Sequence, residues 1–450
     1  MRRILVANRG EVAVRIIRAC RELGIETIAI YSEADRSALH VIWADQAVCV
    51  GPPPSQQSYL NMQNILAAAL AHGAEGIHPG YGYLSENALF AEMCAAHGLV
   101  FIGPEARHLE LLGDKAQAKA VLREAGVPVI PGSGVIRDHR ELSEAADELG
   151  YPLVIKSCAG GGGRGMRLVK EPGELLSSFA AARAEALAFF GCDRCYLEKW
   201  LTPVRHIEIQ LLADHYGRVV HVGERECSLQ RRQQKLLEEC PSPVVDAGLR
   251  ARLGAAAVRA AKAVNYRNAG TVEFLVDAAG DYYFLEMNTR LQVEHPVTEL
   301  VYGVDLVQEQ IRLAAGEPLR YAQAELKPRG HAIQCRITAE AVRPGSHPFS
   351  GVVERLLVPG GFGVRWDSHL YQGYAISPFY DALLGKLIVW GQTREEAIRR
   401  LARALDELVV EGIETSIPFH RAVLRDQRFT SGCFSTDFVE QWLQESEIVG

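Results

Sequence analysis

The opening of the chain constrains its fold more than any later stretch. Ile4–Ala7 is a short apolar run of strand length and Gly10 interrupts it. Val12, Ile16, Ile17, Cys20 and Leu23 then recur at helical spacing up to Gly24, and Thr27–Tyr31 supplies a second strand-like run. Strand, helix and strand in this order imply a parallel sheet with its connecting loops gathered at one edge. Such sheets carry nucleotide-binding folds, but Asn8-Arg9-Gly10-Glu11 lacks the glycine spacing of a dinucleotide fingerprint, so no NAD site is expected. The alternation runs on to Phe101-Ile102-Gly103-Pro104. A helical stretch over Leu109–Ala125 follows, and then Gly126-Val127-Pro128 and Ile130-Pro131-Gly132-Ser133-Gly134 read as a linker.

From Tyr151 the pattern changes to strands with glycine turns. Leu153–Ser157 and Met166–Val169 read as strands around the loop Gly160–Gly165, and Glu174–Ala188 reads as an alanine-rich helix, which together suggest a small separate lobe. Strands over 331–338, 352–358 and 383–390 precede a helix opened by a capping box, Thr393 with Glu396. At 450 residues the chain has room for about three such units. Apolar residues at 48% and charged residues at 23% exclude a disordered or fibrous chain. A net charge of -7 with interspersed signs argues against a surface built for nucleic acid. No apolar run approaches the roughly 18 residues of a membrane span, and Met1-Arg2-Arg3-Ile4 has no export pattern, so a cytoplasmic location is expected. The ten cysteines lack framework spacing and read as reduced thiols; Cys192 and Cys195, without a second pair, do not mark a metal or redox site.

Four patches carry chemistry. The loop Gly160-Gly161-Gly162-Gly163-Arg164-Gly165 precedes a strand rather than a helix, so it caps a hairpin. With Lys156 before it and Arg164 within it, the loop suits a polyphosphate. No GxxxxGK[ST] is present. Next, Gly270–Val276 and Tyr282–Met287 form a hairpin around Asp277–Asp281. If Val276 pairs with Tyr283, Glu273 faces Glu286, with Asn288 on the same face. Two opposed carboxylates repel, and a divalent cation with oxygen preference, Mg²⁺ or Mn²⁺, resolves the conflict. Third, the loop Thr289-Arg290-Leu291-Gln292-Val293-Glu294-His295-Pro296 offers Arg290 as a fork for a planar oxyanion and Glu294 as a base. In the strand after it, Ile333, Cys335 and Ile337 form one face, so Arg336 points the other way. The fourth patch, Cys227–Lys235 with Glu224, Glu226, Glu238 and Glu239 flanking it, reads on its own as a solvated charged face, and His78–Tyr83 as a glycine-turned loop.

Taken together, these residues resemble the biotin carboxylase family of ATP-grasp enzymes over nearly the whole chain. The likeness includes Ala7–Glu11, His78–Asn87, Gly113-Asp114-Lys115, Gly160–Met166, Glu198-Lys199, Arg205–Gln210, Gln230–Lys235, Glu286–Glu299, Tyr380-Asp381 and Gly385-Lys386. The resemblance implies an α/β fold in three parts. These are a Rossmann-like pre-ATP-grasp domain at 1–112, an ATP-grasp domain at 113–329 with a mobile glycine-rich lid at about 130–200, and a C-terminal mixed α+β domain at 330–447. It implies carboxylation of biotin with ATP and bicarbonate through carboxyphosphate, the first half-reaction of acetyl-CoA carboxylase or a related acyl-CoA carboxylase. By the same resemblance Lys115, Lys156, Gly162 and Gly163 hold ATP phosphates, and Glu198, Lys199 and Leu201 receive adenine. His206, Gln230 and Gln233 complete the nucleotide site, and Glu273, Glu286 and Asn288 are metal ligands. Lys235, Arg290, Gln292 and the Val293 backbone form the bicarbonate pocket, Glu294 is the base, and Tyr81, His206 and Arg336 line the biotin side.

The sequence also departs from the family's pattern. Gln233 stands where a histidine is usual, Ser157-Cys158-Ala159 replaces Ala-Ser-Gly, Ala341-Val342 replaces Asp-Pro, and the loop at His347-Pro348-Phe349 is altered. None of the five methionines precedes a lysine, as the family's biotinylation site requires, so a separate biotin carboxyl carrier protein and separate carboxyltransferase subunits are expected. Arg18, Glu22, Phe362 and Arg365 match positions that pack the family's homodimer. Two rival readings are an ATP-grasp ligase joining a carboxylate to an amine and a catalytically silent ATP-binding regulatory subunit.

Overall fold

Both faces of the opening sheet are apolar, and both are covered. The computed structural model describes residues 1–159, 166–343, 345, 347 and 349–449. Gly160–Gly165, and with it the expectations for Gly162, Gly163 and Arg164, lies outside the described residues, as does Pro348. Strands β1 (Arg3–Val6), β2 (Glu26–Ser32), β3 (Gln46–Gly51), β4 (Gly76–His78) and β5 (Val100–Phe101) pair in parallel in the order β3-β2-β1-β4-β5, as the opening pattern predicts. Ile4 and Val6 pack on Ile16 and Ile17 of the helix Gly10–Glu22, while Leu5, Ile28 and Ile77 pack with Phe90 on the opposite face. The carboxyl ends of β1 and β4 bring two loops together: Asn8 Nδ2 donates to the carbonyls of Pro79 at 2.6 Å and Tyr81 at 2.7 Å.

The single helix expected over Leu109–Ala125 is two helices, Ala106–Gly113 and Lys115–Glu124. Asp114 separates them in an extended conformation, and its side chain accepts from the backbone of Ala116 and Gln117 at 3.1 and 3.0 Å. An aspartate cap outweighs the helical periodicity running through it, and it sets Lys115 at the start of a new helix. The small lobe has its own sheet, made of β6 (Gly132–Val135), β7 (Leu153–Ser157), β8 (Arg167–Val169) and β9 (Cys195–Lys199) in the order β6-β9-β7-β8. Leu142, Ile155, Phe179 and Leu197 form a core between it and the helices His139–Leu149 and Leu175–Phe190.

The remaining strands are β10 (Val204–Ala213), β11 (Val219–Arg231), β12 (Gln234–Cys240), β13 (Asn268–Asp277), β14 (Tyr282–Asn288), β15 (His331–Thr338), β16 (Arg355–Leu357), β17 (Val364–Ser368), β18 (Leu383–Gly391) and β19 (Val409–Glu411). Most join one sheet, β14-β13-β10-β11-β12-β15-β18-β17, which runs unbroken across residues 329 and 330 because β12 pairs with β15. The strand expected over 352–358 shortens to β16, whose partner is the three-residue β19. The capping box at Thr393 is half made: Thr393 Oγ1 accepts from the Glu396 N–H at 3.2 Å, while the Glu396 carboxylate accepts from Gln392 instead.

On the hairpin, Glu273 faces Glu286 as expected, by a different path. Val276 pairs with Tyr282 and not Tyr283, and a bulge between Phe274–Phe284 and Glu273–Glu286 takes up Leu285 and restores the register.

Candidate active site

The loops after β1 and β4, the small lobe and the long sheet surround a cavity of about 800 Å³. That volume suits a nucleotide with a second small ligand. Lys115, Lys156 and Lys199 stand toward one end, and Tyr81, Glu294 and Arg336 line the other.

The second end is built on alternation along β10. Ile207 and Ile209 face the core, so His206, Glu208 and Gln210 face the opposite way, toward β11 and β13 neighbours that are also polar. The Lys235 ammonium lies 2.7 Å from Glu208, 2.9 Å from Glu273 and 2.7 Å from Glu294. Arg225, wholly buried, binds the far side of Glu208 and donates to Gln210 and Thr298. Arg336 bridges Glu238 at 2.6 Å and Glu294 at 3.0 Å. Burial would raise the Glu294 carboxyl, but Lys235, then Arg336 and Arg225, hold it well below the usual carboxylate range. Glu294 is therefore ionised and can act only as an acceptor.

Beside it, Arg290 is splayed across four acceptors: Glu86 at 3.0 Å, the Gln292 side-chain oxygen at 2.8 Å, Asn288 Oδ1 at 2.9 Å and the Leu291 carbonyl at 3.2 Å. Gln292 in turn donates to Glu273 at 3.2 Å, and His206 Nε2 stands 3.0 Å from Glu273. Tyr81 donates to Glu11, which pairs with Lys386 at 2.9 Å. Lys235, Arg290, Gln292, Val293, Glu294 and Arg336 thus meet along one wall.

At the other end, Lys115 pairs with Glu286 at 2.7 Å and Lys156 with Glu198 at 2.7 Å, and Lys119 also contacts the Glu198 carboxylate. Glu198, expected to receive adenine, spends both carboxylate oxygens on lysines here. The Lys199 N–H goes to the Pro131 carbonyl at 2.9 Å, so the strand end offers its remaining backbone groups as far as Leu201. Gln230 and Gln233 also line the cavity; Arg232 and Gln233, with φ of 50° and 60°, form the two-residue turn between β11 and β12.

The reading of Cys227–Lys235 and its flanking acids as a solvated face holds for Arg232–Gln234, which are exposed, and is overturned for Cys227–Leu229 and the flanking acids. Glu224, Glu226, Glu238 and Glu239 are buried. Each meets an arginine distant in sequence: Arg250 at 2.6 Å, Arg205 at 3.4 Å, Arg336 at 2.6 Å and Arg394 at 2.7 Å respectively. Pairing across the fold is what makes burial of so many acids tolerable.

The opposed Glu273 and Glu286 fit a hard divalent cation. Despite burial, Lys235 and His206 hold Glu273 well below its usual pKa and Lys115 lowers Glu286, so both carboxylates are ionised. With the neutral Asn288 amide oxygen they form an all-oxygen donor set suited to Mg²⁺ or Mn²⁺. The other acid clusters, Glu208 with Glu273 and Glu208 with Glu294, already have Lys235 between them.

Several residues of the site escaped sequence reasoning. Lys119 lies one helical turn beyond Lys115, and Glu208 lies in the polar alternation of β10, so both left a periodic signal. Glu11, Glu86 and Lys386 fall in stretches that carry the family resemblance and Arg225 in none, but no role followed for any of them, since their partners are brought together by the fold.

Family models match most of the chain: biotin carboxylase, N-terminal domain, over residues 1–109; carbamoyl-phosphate synthase L chain, ATP binding domain, over 114–322; and biotin carboxylase C-terminal domain over 334–441. A biotin carboxylase from Nostoc sp. is 56% identical over 440 residues, covering 98% of both chains. A solved biotin carboxylase–β-γ-ATP complex from Campylobacter jejuni superposes with a TM-score of 0.96 at 46% identity, covering 98% of both chains. The biotin carboxylase domain dimer of Hydrogenobacter thermophilus 2-oxoglutarate carboxylase, in complex with MgADP, ADP and bicarbonate, has a TM-score of 0.95 at 48% identity, covering 98% of this chain and 97% of that one.

Proposed function

The chain belongs to the biotin carboxylase family, and from that premise we propose that it carboxylates biotin on a carrier protein, using ATP and bicarbonate. The observation that carries this reading is Glu294, ionised between Lys235 and Arg336 on the cavity wall that Arg290 shares. Bicarbonate binds Lys235, Arg290, Gln292 and the Val293 backbone. Its charge then competes for the Lys235 ammonium, and Glu294, partly relieved of that partner, gains basicity as the bicarbonate hydroxyl approaches.

The deprotonated bicarbonate attacks the γ-phosphate of ATP, giving carboxyphosphate and ADP. Lys115 and Lys156 leave Glu286 and Glu198 to hold the phosphates, where positioning and fixed charge do most of the work. Mg²⁺ or Mn²⁺ on Glu273, Glu286 and Asn288 would add charge compensation at the phosphoryl oxygens. Adenine lies along Glu198, Lys199 and Leu201, with Gln230, Gln233 and His206 nearby. Cleavage of the carboxyphosphate C–O bond releases CO₂ and phosphate beside biotin, the phosphate accepts the ureido proton, and the freed ureido nitrogen attacks CO₂ to form carboxybiotin, with Arg336, Tyr81 and His206 facing the ureido group.

The carboxylated carrier then serves carboxyltransferase subunits acting on acetyl-CoA or a related acyl-CoA. The protein works in the cytoplasm as a homodimer through Arg18, Glu22, Phe362 and Arg365. In support, Arg18, Glu22 and Arg365 share one surface pocket, and the Phe362 ring is 78% exposed.

Phosphate release from Mg·ATP tests the reading. Release is expected to require bicarbonate and to rise with free biotin, and Glu294→Gln is expected to lower it by roughly 10²–10⁴-fold while ATP still binds. Nucleotide binding without a response to either addition would refute it. Phosphate release that answers to a carboxylate and an amine instead would identify the other ATP-grasp ligase.

A further inference from the structure

The backbone of Gln292–Glu294 is gripped from behind by two side chains that the mechanism above does not use. His295 Nδ1 lies 2.7 Å from the Gln292 carbonyl oxygen, and the His295 backbone N–H reaches the same oxygen at 3.3 Å. One residue on, the Lys386 ammonium donates to the Val293 carbonyl at 3.0 Å while it is anchored to Glu11 at 2.9 Å. Both side chains are 0% exposed. A carbonyl only accepts, so the short contact places the ring proton of His295 on Nδ1. Nε2 accordingly has no hydrogen-bond partner among the described residues and stands 4.0 Å from Glu299. Burial, and after it the Lys386 charge, push the His295 pKa well below its usual value, so the ring is neutral with one N–H.

Peptide geometry turns these contacts into directions. Among the described residues the cis bonds are Tyr151-Pro152, Thr202-Pro203 and Cys240-Pro241, so both peptides of this loop are trans. In a trans peptide the C=O and N–H point opposite ways. Drawing the Gln292 and Val293 carbonyls into the protein therefore turns the Val293 and Glu294 N–H groups toward the cavity that both residues line. Neither N–H has a protein acceptor among the described residues. Backbone donors without an acceptor are uncommon in a folded protein, and consecutive ones facing one way form an anion nest.

Resting on the bicarbonate reading above, we infer that His295 and Lys386 are positioning residues that aim the Val293 and Glu294 amides at bicarbonate. His295 fixes the first peptide plane, Lys386 the second, and Glu11 fixes Lys386.

The test exploits the two ring nitrogens. In His295→Asn the side-chain amide occupies the place of Nδ1 and keeps a donor toward Gln292, whereas in His295→Gln the amide falls where Nε2 stands. Steady-state phosphate release should show the KM for bicarbonate within about threefold of wild type in the Asn variant and raised about tenfold or more in the Gln variant. The KM for ATP should stay unchanged in both. A purely structural role predicts a different pattern, and equal bicarbonate KM values in the two variants, or parallel rises for ATP and bicarbonate, overturn the inference. Should the Gln variant not fold, the same KM split is read in a Glu11→Gln, Lys386→Met double variant, which removes both charges of that pair together. There, an unchanged bicarbonate KM overturns the inference. Failure of the underlying reading looks different: the wild-type enzyme itself would then show no bicarbonate-dependent release.

Discussion

At one end of the cavity a single ammonium, Lys235, serves three carboxylates, Glu208, Glu273 and Glu294. At the other end three lysines, Lys115, Lys119 and Lys156, share two carboxylates, Glu286 and Glu198. The difference teaches what each end is prepared to receive. A cation surplus can release lysines to a polyphosphate without leaving acids bare, because each phosphate brings its own negative charge. The acid cluster, whose one ammonium is backed by the guanidiniums of Arg225 and Arg336, has no lysine to spare, and it keeps an ionised base poised instead. Glu286 links the two ends: when Lys115 turns to phosphate, the hairpin pair Glu273 and Glu286 needs a new cation, so nucleotide and divalent metal should bind in a coupled way.

Removing the hub of the acid-rich end is the strongest test of this contrast. Lys235→Met leaves three buried carboxylates short of a partner and should cost about 3–5 kcal/mol in denaturant unfolding, besides abolishing bicarbonate-dependent turnover. A loss below 1 kcal/mol would mean that Arg225, Arg336 and His206 already carry the pairing, and the hub description would fail.

Glu299 presents the reverse ratio, one carboxylate shared by Arg15 at 2.9 Å and Arg365 at 2.7 Å. Burial opposes ionisation there, yet Arg15 and Arg365 lower its pKa from 4.5 to about 2. A depressed folded-state pKa stabilises the protein above the unfolded value and is lost as pH falls, so this contribution, of order 3 kcal/mol, disappears between pH 4.5 and about 2. Glu299→Gln should flatten the acid limb of stability in that window, measured by urea midpoints at each pH. An unchanged acid limb would show that the two arginines are satisfied elsewhere.

The parallel sheet and the acidic hairpin were legible because their signals are local. The βαβ alternation lies within the first strands, and Glu273 and Glu286 sit at fixed offsets from one turn. The bulge at Leu285 was not legible, since a turn of either length fits the same residues until the sheet fixes the register. Glu224, Glu226, Glu238 and Glu239 were misread for a related reason. Their arginines come from β10, the helix Ala247–Ala263, β15 and the helix Arg394–Glu407. Without those partners a run of charges is expected to face water. His295 and Lys386 stood in stretches singled out in the sequence, but their roles were hidden: each acts on a backbone carbonyl, and an acceptor present at every residue leaves no mark in sequence.

The smallest effect is expected where the cation-rich end can spare a member. Lys119 sits against Glu198 and 5.3 Å above the centre of the Tyr196 ring, 5% exposed. Lys119→Met fills the same volume with an apolar chain, while Glu198 keeps Lys156 at 2.7 Å. Burying an ammonium is costly, and burial together with the charges of Lys156 and Lys115 already pushes the Lys119 pKa well below its usual value. Loss of the charge therefore removes repulsion as well as attraction, and stability should change by less than about 1 kcal/mol in either direction. ATP affinity should hold within about threefold, because Lys115 and Lys156 remain to meet the phosphates. A fall in stability comparable to that of Lys235→Met would show that Glu198 needs both lysines. The two ends of the cavity would then be equally intolerant of losing a cation, and the contrast between them would collapse.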